Sequence, residues 1–253
     1  RLWDHHCRKC GWAKYVCGAD NEIWYTNGST DEPTVPNRPN ALNSNILSNS
    51  YDTEKGCWII TFEYKLTQIG PYAFSQCFNL NSIILPNTVE VIQERAFEKC
   101  SNLRSVVLGK GVSVIKDFAF DECENITDIT IPDNVTSIGC NPFYGCIKLC
   151  KFRGKYASED KKYLIKDDKI IAFALGCGEK DCFIPDMVKS IGNFSFSKCH
   201  SLTYIHLPKT IISIGDSAFS LCENLINVNI VDSVGNDVVT RLLKAQQYDL
   251  VLK

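Results

Sequence analysis

The stretch IGPYAFSQCFNLNSIILP, Ile69–Pro86, is one copy of a repeat that runs through most of the chain. Its isoleucine is followed by a phenylalanine, a cysteine and a leucine at 5, 8 and 11 residues further on, and by Ile83 and Leu85. The pattern returns every 23 residues, and a gap of 53 residues, one period plus a 30-residue insertion, separates the fourth copy from the fifth. The six copies open at Ile69, Ile92, Ile115, Ile138, Ile191 and Ile214.

A repeat of this length cannot bury its own apolar side chains, so it predicts a solenoid whose coils stack to share one core. The segment LNSIILP alternates inward residues such as Ile83 with outward residues such as Ile84, as a short strand ended by proline does. The segment YAFSQC places Phe74 and Cys77 at helical spacing, which predicts a short helical turn on the opposite side. The predicted fold class is therefore an α/β repeat solenoid with short parallel strands.

The sequence predicts three structural regions along the chain. Residues 1–56 form an N-terminal strand and loop region that caps the solenoid, and residues 57–232 form the solenoid itself. The insertion, at about residues 155–184, carries two apolar runs joined by a polar turn and predicts a projecting β-hairpin. Residues 233–253 have one apolar helical face and predict a C-terminal capping helix.

The repeat units resemble a known family. LNSIILPNTVEVIQERAFEKC and ITDITIPDNVTSIGCNPFYGC are similar to the BspA-like leucine-rich repeat. Pro142 replaces the alanine of that pattern, and its strand-ending proline is missing at Gly109, Gly154 and Val231. The resemblance implies a leucine-rich-repeat fold in a non-enzymatic cell-surface or secreted bacterial protein of Bacteroides type. It also implies adhesion to a protein or glycan on a host or bacterial surface, with no cofactor.

Charge and hydropathy point to no other partner. The net charge is -2 with acidic and basic residues interspersed, so no basic field indicates binding to nucleic acid. The longest apolar runs, such as Lys169–Leu175, are much shorter than the roughly 20 residues of a transmembrane helix. We therefore expect neither a nucleic-acid site nor a membrane span in this sequence.

One cysteine recurs in every copy, which indicates a ladder of buried thiols that serve as small apolar side chains. Equivalent side chains of stacked coils point in parallel, so this arrangement does not favour disulfides between them. A catalytic thiol would need a base placed by the fold, and the four histidines stand at unsuitable positions. The ladder consists of Cys77, Cys100, Cys123, Cys146, Cys199 and Cys222.

The remaining cysteines leave several alternatives open. HHCRKCGW has the spacing of one zinc knuckle, to which His5, Cys7, Cys10 and Cys17 could contribute ligands. Disulfide pairing or free thiols are the alternatives there. Cys177 and Cys182 could close a small loop, and Cys140 or Cys150 could pair near the irregular fourth coil.

The outward strand positions form two stripes that are the candidate binding face, because repeat proteins commonly bind ligands on such a surface. A solvated face on a spacer module without its own ligand is the alternative. The stripes consist of Ser82, Ile84, Ser105, Val107, Asp128, Thr130, Lys151, Arg153, Tyr204, His206, Asn227 and Asn229.

Overall fold

The computed structural model of the chain describes residues 19–230. The candidate zinc ligands and the capping helix expected over residues 233–253 therefore lie outside the described residues. Two short 3-10 helices span Pro39–Ala41 and Leu175–Cys177. The strands are β1 (Glu22–Thr26), β2 (Ile46–Asp52), β3 (Cys57–Phe62), β4 (Gln68–Ile69), β5 (Ser82–Ile84), β6 (Val91–Ile92), β7 (Ser105–Val107), β8 (Val114–Ile115), β9 (Asp128–Ile131), β10 (Ser137–Ile138), β11 (Lys151–Gly154), β12 (Tyr163–Lys166), β13 (Lys169–Phe173), β14 (Asp181–Phe183), β15 (Ser190–Ile191), β16 (Tyr204–Leu207), β17 (Ser213–Ile214) and β18 (Asn227–Ile230).

Each regular coil contributes two strands, and equivalent strands pair in parallel with residues 23 apart opposite each other. On one side β5 pairs with β7, β9 with β11, and β14 with β16 and then β18. The shorter strands form the series β4, β6, β8 and β10, and β13, β15 and β17 form a second series. The 23-residue period of the sequence is thus the translation from one coil to the next, which confirms the repeat solenoid.

The α/β class is wrong, because residues 19–230 contain no α-helix. The segment expected to be helical is a series of turns, and two residues in each of the six repeat copies have a left-handed backbone, which an α-helix does not accommodate. Its N–H groups donate to the next coil instead, for example from Phe74 to the carbonyl of Ala96 at 2.8 Å. The molecule is a β-solenoid. The left-handed residues are Tyr72, Gln76, Arg95, Lys99, Phe118, Glu122, Asn141, Gly145, Phe194, Lys198, Ser217 and Leu221.

The core is built around stacked phenylalanines. Phe97 and Phe120 lie nearly parallel with ring centroids 5.1 Å apart, and Phe143 continues the stack at 5.5 Å. A second stack joins Phe196 and Phe219 at 5.1 Å. Because the rings repeat every 23 residues, each coil buries its aromatic side chain against those of its neighbours.

The N-terminal region closes the first coil in two ways. Strand β1 pairs antiparallel with β5, so the solenoid's first strand edge is covered, and β3 and β2 extend the same sheet. The loop before β2 covers the turn side, where the N–H of Arg38 donates to the carbonyl of Ala73 at 3.1 Å. A β-carbon on Gly70 would lie only 1.8 Å from the carbonyl oxygen of Ala41, so this loop packs directly on the coil.

The segment expected to project as a hairpin is built into the solenoid. Strands β12 and β13 do form an antiparallel pair, but β13 also pairs in parallel with β15. The ring of Phe173 stacks on Phe196 at 4.8 Å, and its N–H donates to the carbonyl of Ser195 at 2.9 Å. Phe173 therefore occupies the repeat phenylalanine position of a further, irregular coil.

A buried carboxylate on the turn side gives the fold a dependence on pH. Asp121 accepts a hydrogen bond from Arg95 Nη1 at 2.6 Å, while its Oδ1 has no hydrogen-bond partner among residues 19–230. Burial raises the pKa of Asp121 from its ordinary value of 3.8 to about 6, against the opposing effect of Arg95. The folded state thus binds a proton more tightly than the unfolded state does.

Acidification from about pH 7.5 to about pH 5 is expected to raise the contribution of Asp121 to the free energy of unfolding by about 1 kcal/mol. The sign follows from the raised pKa: the stabilisation is complete below 3.8 and is lost as pH rises through about 6. Urea denaturation at several pH values, compared with Asp121→Asn, measures the effect. An equal pH dependence in both proteins would show that Asp121 is not its source.

Candidate functional site

The ladder cysteines lie inside the solenoid as packing groups. The thiols of Cys100 and Cys123 donate to the carbonyls of Phe74 and Phe97, both at 3.0 Å, in the preceding coil. Cys77 has no full preceding coil, and its Sγ lies 3.5 Å from the carbonyl oxygen of Val35 in the N-terminal loop. All six are buried free thiols.

Burial also removes the reactivity of these thiols. It raises the pKa of Cys77 and that of Cys222 to about 12, so both stay protonated at neutral pH. A thiolate is the form that attacks substrates or binds metals. These side chains therefore suit a structural role rather than a chemical one.

The cysteines outside the ladder do not form the loop closure that was one of the alternatives from the sequence. Cys177 and Cys182 are both free, and the hydroxyl of Tyr163 lies 2.8 Å from Sγ of Cys182. Cys140 and Cys150 are free as well. Within residues 19–230 no group of three or more histidine, cysteine or acidic side chains could hold a metal ion.

The start of the candidate binding face is covered by the N-terminal strands. The Oγ of Ser82 lies 2.6 Å from that of Thr26 and the side chain is buried. Ile84 is half-buried and packs against a small apolar cluster that includes Trp24 and Ile59. Because β1 lies directly beside β5, these two positions contribute to the sheet more than to an open surface.

The middle of the face is polar and exposed. Asp128 and Lys151 are opposite each other on β9 and β11, as are Thr130 and Arg153. The Nε of Arg153 lies 3.4 Å from Oδ1 of Asp128, and both side chains are about half exposed. This pair is a solvated surface interaction of small energy. In the same stripes Ser105 is half-buried and Val107 is exposed.

The second half of the face carries an aromatic cluster. Strand β14 places Asp181 and Phe183 opposite Tyr204 and His206 of β16. The rings of Phe183 and His206 stack with centroids 4.1 Å apart and an interplanar angle of 4°. The Nε2 of His206 lies 2.7 Å from Oδ1 of Asp181. We call these four residues the aromatic patch.

The patch stays open to solvent while its backbone is fixed. Phe183 is 64% exposed and Tyr204 is 43% exposed, whereas Cys182 between the outward residues of β14 is buried. The hydroxyl of Tyr163, a buried residue, donates to the carbonyl of Phe183 at 3.0 Å and anchors β14 from the core side. Asn227 and Asn229 follow on β18, opposite Tyr204 and His206.

Sequence reasoning missed Asp181 and Phe183 because they were assigned to the insertion. A signal was present: in DCFIP, Cys182 and Ile184 stand 23 residues before Ile205 and Leu207, and Pro185 follows as in the other strands. The cysteine at an aliphatic position obscured the match. Aligning on the proline would have added a seventh strand to the binding face.

The comparisons agree with this repeat architecture. The family model described as the BspA type leucine rich repeat region matches residues 24–156 and 171–238 with six copies, well over half of the chain. The chain belongs to the BspA-type leucine-rich repeat family. The leucine-rich-repeat fold expected from the resemblance is confirmed, and the second match begins in β13, where the irregular coil starts.

Two solved structures of bacterial proteins are similar in fold to this chain. A leucine rich cell surface protein from Faecalibacterium prausnitzii A2-165 is 27% identical with a TM-score of 0.57, over 62% of this chain and 43% of that one. The pneumococcal vaccine antigen PcpA is 21% identical with a TM-score of 0.50, over 59% of this chain and 39% of that one. The BspA-type chain thus aligns with less than half the length of either protein.

No curated protein sequence matches this BspA-type chain. Across residues 19–230 there is no helix with the length and apolar character needed to cross a membrane.

Proposed function

We propose that this chain is the binding module of a bacterial protein displayed on the cell surface or secreted, and that it mediates adhesion. Its partner is a protein on a host or bacterial surface that docks on the outward strand face. Membership of the BspA-type family and the likeness to a bacterial cell surface protein support the location. The proposed role is non-enzymatic, as is typical of this repeat family, and the recurrent thiols are buried packing groups that are unsuited to catalysis.

The exposed aromatic patch is the observation that carries the proposal. Protein interfaces are enriched in aromatic side chains, phenylalanine and tyrosine among them. Phe183 and Tyr204 have this character, while the positions at the start of the face are covered by β1. Binding energy is therefore expected to concentrate on β14 and β16, with Lys151 and Arg153 at the polar margin.

Replacing Phe183 and Tyr204 together by alanine is expected to reduce binding to cells at least tenfold, the loss of two contacts worth roughly 1 kcal/mol or more each. Fluorescently labelled protein would be titrated onto host epithelial cells and onto bacteria, with binding measured by flow cytometry. Both side chains are exposed, so the variant should keep the denaturation midpoint of the wild type.

Matched controls lie away from the strand face. Phe78 and Tyr64 are also exposed, at 53% and 65%, and a Phe78→Ala, Tyr64→Ala variant removes the same two residue types. It should bind as the wild type does. Equal binding by all three proteins would exclude the patch as the docking surface. Absence of binding by the wild type to every cell type would favour a spacer module without its own ligand.

A further inference from the structure

We infer that the aromatic patch is a subsite for a neutral sugar ring, presented by a glycan of the glycoprotein on which the module docks. This inference rests on the proposed function, since it names the chemistry recognised by the same face. It depends on the geometry of Phe183, Asp181, Tyr204 and His206 and on the charge they present together.

The ring of Phe183 offers a flat apolar platform. One of its faces is covered by the imidazole of His206 at a centroid distance of 4.1 Å, yet the residue is 64% exposed. Phe183 lies on β14, the end strand of a sheet in the order β14, β16, β18, and within residues 19–230 no strand pairs with β14 on the side away from β16. The apolar C–H face of a pyranose can stack on a ring that is exposed in this way.

Two polar groups border this platform, the carboxylate of Asp181 and the hydroxyl of Tyr204. Asp181 precedes Phe183 by two residues on the same side of the strand, roughly 7 Å away along the chain. Its side chain is 53% exposed, so the carboxylate can accept a hydrogen bond from a hydroxyl while Oδ1 stays 2.7 Å from His206 Nε2. The hydroxyl of Tyr204 can donate or accept on the adjacent strand.

The charge of the patch favours a neutral ligand. Asp181 would repel sulfate, sialic acid or phosphate groups brought onto Phe183, since their negative charges would lie within a few ångströms of a carboxylate. Its hydrogen bond to His206 uses one of its two oxygens, which disfavours the bidentate pairing that an arginine prefers. A neutral sugar ring can stack on Phe183 through its C–H face and form hydrogen bonds with Asp181 and Tyr204 through its hydroxyl groups.

The shape of the patch favours a glycan attached to a partner. Small free ligands are usually held in pockets that bury most of their surface. This patch is a flat strand surface and cannot enclose a single sugar. A chain of sugars fixed to a protein adds further contacts along the face, so weak stacking at one ring can contribute to docking.

The test measures glycan binding directly. Wild-type protein is applied to immobilised neutral oligosaccharides ending in glucose, galactose, mannose or N-acetylglucosamine, with sialylated and sulfated glycans on the same surface. We expect binding to at least one neutral glycan and at most weak binding to the acidic ones. Phe183→Ala should lower that binding about tenfold or more, and Asp181→Asn about fivefold. Phe183→Tyr, which keeps a stacking ring, should retain it, and Phe78→Ala should have no effect.

A second arm separates this inference from the proposed function. Cells are treated with glycosidases that remove surface glycans before wild-type protein is added. Loss of binding after treatment supports the sugar subsite. No glycan binding, together with cell binding that survives glycosidases but still requires Phe183, would overturn the inference and leave the docking face intact. Cell binding unaffected by Phe183→Ala would overturn both.

Discussion

Phe120→Ala is expected to lower the free energy of unfolding by about 4 kcal/mol, because removing a fully buried aromatic ring leaves a cavity that the coil cannot fill. The ring is inaccessible to solvent and lies between Phe97 and Phe143 at 5.1 and 5.5 Å. Its loss interrupts the stack at the centre of the first four coils. Urea denaturation followed by tryptophan fluorescence measures the change.

Cys123→Ala in the same coil is the control. It removes one buried sulfur atom and its hydrogen bond to the carbonyl of Phe97, and should cost about 1 kcal/mol. A loss in Phe120→Ala no larger than that in Cys123→Ala would contradict the view that the phenylalanine stack is the main source of cohesion between coils.

Gly70→Ala is expected to lift the N-terminal loop from the first coil, at a cost of about 3 kcal/mol. The new β-carbon would lie 1.8 Å from the carbonyl oxygen of Ala41, and neither backbone can give way without moving the loop. Cys77 reports the movement, because its thiol lies 3.5 Å from the carbonyl oxygen of Val35 in that loop. Peptide-resolved mass spectrometry should detect alkylation of Cys77 accelerated by on the order of tenfold or more.

Gly56→Ala is the control for the Gly70→Ala substitution. Gly56 has a positive φ, of 66°, and a β-carbon there would meet no atom within 4 Å. Its substitution should cost about 1 kcal/mol of backbone strain and leave the labelling of Cys77 unchanged. Equal acceleration in the two variants would mean that general destabilisation, rather than release of the loop, exposes the thiol.

The sequence predicted the parts of the fold that repeat. A period of 23 residues identifies which side chains face the core, since a ring such as Phe97 can be buried only if its equivalents stack. The turn side was misjudged because spacing alone does not distinguish a helical turn from successive turns. The left-handed backbone of Tyr72 and Gln76 decides between them, and neither residue type signals it.

The errors elsewhere arise from contacts between distant segments. Strand β1 lies antiparallel between β3 and β5, a pairing that the 23-residue repeat does not predict. Strand β1 also covers Ser82 and Ile84, two outward positions that the sequence alone predicts to be open to solvent. Two residues of the aromatic patch, Tyr204 and His206, were predicted because they lie in regular copies of the repeat. Asp181 and Phe183 were missed because they belong to the irregular coil.

The docking of a partner on the aromatic patch is tested most directly by photo-crosslinking. A benzophenone amino acid would replace Phe183 in one protein and Phe78 in another, since both side chains are exposed and only the first lies on the strand face. Each protein is added to cells that bind the wild type and is irradiated. We expect a crosslinked adduct from position 183 and none from position 78. Adducts of equal yield from both positions, or an adduct from position 78 alone, would contradict the assignment of this face.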